Sequence, residues 1–215
     1  MSQASDILES VIDSYRQLET YSDSGTVAAL IQVGAKSVEA GCSFATTFER
    51  TDKKESRFRY QWNSSGILSQ LQDDNEDNIN VICSNDEGVF KRYPIEGLTT
   101  CPSLAMAVAD ATGVSFGGVY YISSLLLEHI VPDSHWFFRR LQKNIELDES
   151  EKSDSDFYCL TAGTKGEPVR LTVKKANFSL SEMIVERPSS TVKFIWQSSL
   201  FNPPLNARVF DQYRF

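Results

Sequence analysis

Arg57-Phe58-Arg59-Tyr60-Gln61-Trp62 is the stretch whose reading decides the fold. Rings and polar side chains alternate along it with a period of two, the signature of a strand with one apolar and one wet face. The stretch just upstream repeats the pattern. Phe44 and Phe48 share a parity with Cys42 and Thr46. Two neighbouring ring-bearing strands imply an antiparallel sheet with a greasy, large-ring face. Phe44, Phe48, Phe58, Tyr60 and Trp62, or the opposite parity, are therefore the candidate lining of a hydrophobic cavity.

Moving outward, the N-terminus reads as a helix. Asp6 and Glu9 form a D-x-x-E variant of the capping box, and Ile7, Leu8, Val11, Ile12, Tyr15 and Leu18 recur on one stripe. Tyr21–Val33 and Val38–Arg50 are long strands around a turn at Gly34–Lys36, and Arg57–Asn63 is the third strand. Asn78–Cys83 and Gly88–Tyr93 make a hairpin around Asn85-Asp86-Glu87-Gly88. The middle of the chain then turns helical, approximately over 103–142. Ser103 is the N-cap for Leu104–Ala111, Gly113 a stop, Gly117-Gly118 a joint, Tyr120–Ile130 a second helix and His135–Gln142 a third segment. After a charged linker, Asp148–Asp156, strands resume at Phe157–Ala162, Val169–Lys174, Leu180–Glu186 and Thr191–Gln197. The fold class is α+β, with one long, strongly curved antiparallel sheet. The N-terminal helix and the helical insert must bury their apolar stripes, and the concave face of the sheet is the place to do so. Residues 1–215 read as a single domain.

The chain has 215 residues, a formal charge of −8 and a pI of about 4.9. Its basic residues fall in pairs such as Arg57/Arg59 and Lys174/Lys175, without the basic stripe of a nucleic-acid binder. The greasiest run, Val119–Val131, contains Glu128 and His129 and is short of the roughly 20 residues a membrane span needs. Met1–Ser5 is polar and lacks a secretory-signal pattern. The expected location is the periplasm or cell envelope if a signal peptide has been removed, and the cytoplasm otherwise.

Groups that carry chemistry are scarce. There are two histidines, His129 in the apolar helix and His135 beside Trp136, neither with ligands at metal spacing. Gly113-Val114-Ser115-Phe116-Gly117 matches G-x-S-x-G, but a nucleophile elbow needs a strand before it and a helix after it, and here a helix precedes. The run Asp73-Asp74-Asn75-Glu76-Asp77 lacks the alternation and glycine of an EF-hand loop. The four cysteines, Cys42, Cys83, Cys101 and Cys159, form no C-x-x-C pair. Buried thiols are the expectation, with a Cys83–Cys101 bridge left open for an oxidising compartment. No catalytic residues, metal or cofactor are expected, and large rings beneath helices suit an apolar binding cavity.

Four further stretches carry a family likeness: Tyr21-Ser22-Asp23-Ser24-Gly25-Thr26-Val27; Phe44-Ala45-Thr46-Thr47-Phe48-Glu49-Arg50 leading to Phe58-Arg59-Tyr60; Phe157-Tyr158-Cys159-Leu160 leading to Val169-Arg170-Leu171-Thr172-Val173-Lys174; and Asn202-Pro203-Pro204-Leu205 to Phe210. Through them the chain resembles the lipoprotein-carrier, LolA/LolB-like superfamily, and most closely the uncharacterised bacterial envelope proteins of that fold. The resemblance implies an unclosed half-barrel sheet lidded by helices. It also implies a non-catalytic role in which a lipid, acyl chain or lipoprotein is the partner, as in an envelope lipid or lipoprotein carrier. The alternative is an envelope interaction or sensor protein that meets a protein partner and fills its core with its own side chains. A third reading, a small cone-shaped enzyme, would need a histidine beside a carboxylate inside the cone.

Overall fold

The computed structural model describes residues 2–51, 56–66, 79–127, 137–148, 156–164 and 167–211. His129, His135, Trp136 and the acidic run Asp73–Asp77 lie outside these residues. The described chain contains one antiparallel sheet of eleven strands in the order β6-β5-β4-β3-β2-β1-β11-β10-β9-β8-β7. The strands are β1 Thr20–Val33, β2 Lys36–Glu49, β3 Arg57–Gly66, β4 Asn80–Asn85, β5 Gly88–Tyr93, β6 Gly97–Cys101, β7 Glu146–Leu147, β8 Phe157–Thr164, β9 Glu167–Lys174, β10 Leu180–Arg187 and β11 Ser190–Phe201. The helices are α1 Gln3–Arg16, α2 Leu104–Val114, α3 Gly118–Leu126 and α4 Phe137–Leu141. β6 and β7 stand at the two ends of the sheet and do not pair with each other, so the sheet is open.

The topology follows from hairpins. Each strand pairs with its neighbour in sequence, apart from the β1–β11 closure and the crossing of the helical insert between β6 and β7. Two short strands were not foreseen. Gly97–Cys101 has a turn glycine and two threonines and extends the β4–β5 hairpin, while Glu146–Leu147 is too short to show a period. One cap also differs. Ser2 caps α1, its hydroxyl accepting from the Ser5 amide at 3.3 Å, so Asp6 lies inside the first turn rather than forming a box with Glu9. Ser103 caps α2 as its spacing requires, with 3.3 Å to the Met106 amide. That helix runs through Gly113 to Val114 before the joint at Ser115–Gly117. Ser115, the serine of the G-x-S-x-G string, is buried, and its hydroxyl accepts from the Val119 amide at 3.4 Å. It ties the start of α3 to the end of α2.

The helices pack into one face of the sheet, where nearly all the buried apolar side chains form a single cluster. On the opposite face the chain's tail covers β3 and β4. Phe210 packs there on Val81 and Cys83, and its carbonyl accepts from the Asn85 amide group at 3.0 Å. Arg59, expected on a wet face, is therefore buried, and its guanidinium donates to the Asp211 carbonyl at 3.3 Å. The register also decides the cysteine question. Cys83 lies opposite Phe90 and Cys101 opposite Val89, so the two thiols leave opposite faces of the sheet, and none of the four cysteines is in a disulfide.

Candidate ligand-binding cleft

Strand register arranges the inward-facing side chains in rows that cross the sheet. The row nearest the start of β1 is Phe58–Phe48–Tyr21–Phe201. Next comes a polar row, Tyr60–Thr46–Asp23–Ser199, and then Trp62–Phe44–Gly25–Trp196. Side-chain size then falls. Four residues further along β1 the row is Ala40–Ala29–Val192–Val185–Val169–Ala162. From Gly25 to Ala29 is about 13 Å of extended strand. Over that distance the wall recedes from indole and phenyl rings to methyl groups.

The ring end is filled by the protein itself. Phe48, Phe58 and Tyr60 have no exposed surface, Trp62 is 1% exposed and Phe44 6%. The rings interlock, Phe44 stacking on Tyr60 at 5.8 Å and meeting Trp196 edge-on at 6.2 Å. Two glycines permit this closeness. A Cβ on Gly25 would stand 2.6 Å from the tip of the Phe44 ring and 2.2 Å from the Ile195 carbonyl. A Cβ on Gly118 would stand 2.3 Å from the Tyr60 hydroxyl, so α3 begins directly on the aromatic face. The structure thus brings the five ring residues chosen from sequence together, and seals them under helices.

Asp23 is the buried carboxylate among the described residues of this end. It accepts from the Tyr21 hydroxyl at 2.8 Å and from the Thr46 amide at 2.9 Å. Burial raises its pKa to about 6, and these hydrogen bonds only partly oppose the rise. The thiol of Cys42, further along the same face, is pushed up to about 12 by burial and stays protonated.

The small-residue end is hollow. A cleft of about 650 Å³ lies there, within the 300–1,000 Å³ typical of ligand pockets. Its floor is Ala29, Val192, Val185 and Val169 of the small-residue row. Its roof is Phe116 at the α2–α3 joint, Tyr120 and Tyr121 of α3 and Phe137 of α4. Tyr121 meets Phe137 edge-on at 4.7 Å and Phe194 at 5.1 Å, which fixes the roof to the sheet. Polar side chains, among them Arg140, Glu167 and Arg187, also border the space. None of the five sequence-chosen rings lines it. Reasoning by ring size selected the residues that fill space, whereas the cavity lies where alternating positions shrink to alanine and valine. That decline in size along β1, β2 and β11 was visible in the sequence. The roof from α3 and α4 was not, because it depends on where the insert folds back.

An unclosed antiparallel sheet, an N-terminal helix and further helices seated on the concave face are what the sequence resemblance implied. The open sheet, the N-terminal helix and the helices packed on one face are all present. No protein-family model and no curated protein matches the chain. Solved structures with a weak likeness over most of the chain are found. One is a DUF1329 family protein from Desulfovibrio piger, at 14% identity over 99% of this chain and 98% of that one, with a TM-score of 0.42. Another is LprF from Mycobacterium bovis, at 10% identity over 95% of each chain and a TM-score of 0.46. A third is a LolA superfamily protein from Nitrosomonas europaea, at 10% identity over 99% of each chain and a TM-score of 0.34. No helix among the described residues is long and apolar enough to cross a membrane, and no described cluster of His, Cys, Asp and Glu is arranged to hold a metal.

Proposed function

We propose that this chain acts, as one LolA-like domain, as a non-catalytic binding protein for a hydrophobic ligand, a lipid or acyl chain. The observation that carries the reading is the 650 Å³ cleft floored by alanine and valine and roofed by aromatic rings. Floor and roof both offer apolar area to a ligand. Each buried CH₂ contributes about 0.8 kcal/mol, so an acyl chain can bind tightly without a polar anchor. The rings Phe44, Phe48, Phe58, Tyr60 and Trp62 serve in this reading as the rigid closed end against which the cleft is built. A cell-envelope location and a role as a lipid or lipoprotein carrier are the finer parts of the proposal.

A second reading is favoured by one observation, the complete burial of the ring end by the chain's own helices. A core filled in this way suits an interaction or sensor protein whose partner is another protein. Native mass spectrometry of gently purified protein separates the two. The binding reading expects co-purified lipid, or saturable uptake of a fluorescent fatty acid. Absence of both, together with a retained protein partner, supports the second reading instead.

A further inference from the structure

The geometry points to a single-chain amphiphile with an anionic headgroup as the ligand of the cleft, its chain over the alanine–valine floor and its headgroup between Arg187 and Arg140. This rests on the cleft being the binding site, and goes further by assigning the ligand's charge and orientation.

The argument begins at the rim. One row beyond the small-residue row, Ile31 pairs with Ser190, and Ser190 with Arg187. Polarity therefore rises abruptly at the turn end of the sheet, one step from a floor of alanine and valine. An apolar floor and roof with a polar border fit an amphiphile better than a wholly apolar ligand, which would leave the polar border unused.

The sign of the charge comes next. Arg140, Arg187 and Glu167 are the charged side chains among the described lining residues, so the described lining is net positive in a chain of formal charge −8. Arg187 is held in place from below. Its Nη2 donates to the Tyr121 hydroxyl at 3.4 Å, which anchors the guanidinium to the roof. Its Nε lies 3.9 Å from a Glu167 carboxylate oxygen, a loose and largely exposed pair that a ligand anion can displace. Arg140, on the short helix that closes the roof, makes no hydrogen bond or ion pair among the described residues. Two guanidiniums border the same cleft, Arg187 from the sheet and Arg140 from the roof, and each can bind a carboxylate or phosphate through paired donors.

A fatty acid and a monoacyl phospholipid both supply this chemistry, and the test distinguishes them. Binding of cis-parinaric acid is compared with that of its methyl ester at pH 8 and low salt, by fluorescence. The acid is expected to bind at least tenfold more tightly. R140Q and R187Q are each expected to cut that preference several-fold, weakening the acid more than the ester. E167Q, which removes the competing carboxylate, is expected to raise affinity for the acid. Displacement by oleate and by lysophosphatidic acid, with lysophosphatidylcholine as the zwitterionic control, then identifies whether carboxylate or phosphate is preferred. Equal affinity for acid and ester overturns the headgroup assignment and leaves the cleft as a site for apolar ligands. Binding of neither overturns both this inference and the binding function itself.

Discussion

The two ends of the concave face are built from the same strands by the same alternation, yet one is solid and the other hollow. At the ring end, Phe58, Phe48, Tyr21 and Phe201 stand in one row and the helices close over them. At the turn end, Ala40, Ala29, Val192 and Val185 occupy the equivalent positions, and the helices span the gap on Tyr121 and Phe137 instead of filling it. Period and burial are the same in both; only side-chain volume differs. Volume at inward positions, rather than hydrophobicity, therefore decides where a sheet of this kind offers space.

The largest effect that probes this contrast is on packing. Phe48→Ala at the solid end is expected to cost about 3–5 kcal/mol in urea unfolding, as large-to-small changes in close-packed cores do. Val192→Ala, on a wall that already borders space, is expected to cost far less. Equal losses would mean that both ends are packed alike.

A second probe is pH, because the solid end holds the buried carboxyl of Asp23. Its pKa stands at about 6 in the fold against 3.8 when free, so the native state holds the proton more tightly than the unfolded chain. The resulting stabilisation is complete below about pH 4 and is lost as the pH rises through 6, an effect of about 3 kcal/mol. D23N is expected to abolish this slope. Urea midpoints of both proteins between pH 4 and 7 check it, and parallel curves would refute it.

Gly25→Ala comes next, at about 1–3 kcal/mol, since its methyl group would meet both the Phe44 ring and the Ile195 carbonyl. Unchanged thermal stability in that variant would show that the ring end can yield. The smallest expected effect on stability belongs to Ala29→Phe at the hollow end, within about 1 kcal/mol, because the new ring enters existing space. The same change is expected to weaken fluorescent fatty-acid binding at least tenfold. Unaltered binding would move the ligand elsewhere.

Much of this was legible in the sequence. Alternation along Phe58–Trp62 and Phe44–Phe48 marked the strands and put their rings on one shared face, because a period of two is a local property. Hairpin turns such as Asn85-Asp86-Glu87-Gly88 marked which consecutive strands pair antiparallel. The cleft was harder to find, because it depends on distant residues. Ala29 faces the void only because β11 brings Val192 beside it and the insert returns to place Tyr121 above. The burial of Arg59 was hidden for the same reason, as the tail that covers it lies more than a hundred residues away. Gly117-Gly118 could be read as a joint from composition, whereas the contact of Gly118 with Tyr60 could not.

A crystal structure of the protein loaded with a brominated fatty acid tests the assignment of the cleft most directly, since anomalous scattering locates the bromines without bias. The bromines are expected between Val192 and Tyr121, above the alanine–valine row. Bromine peaks among Phe48, Phe58 and Trp62, or on the outer face of the sheet, would contradict the division into a solid and a hollow end.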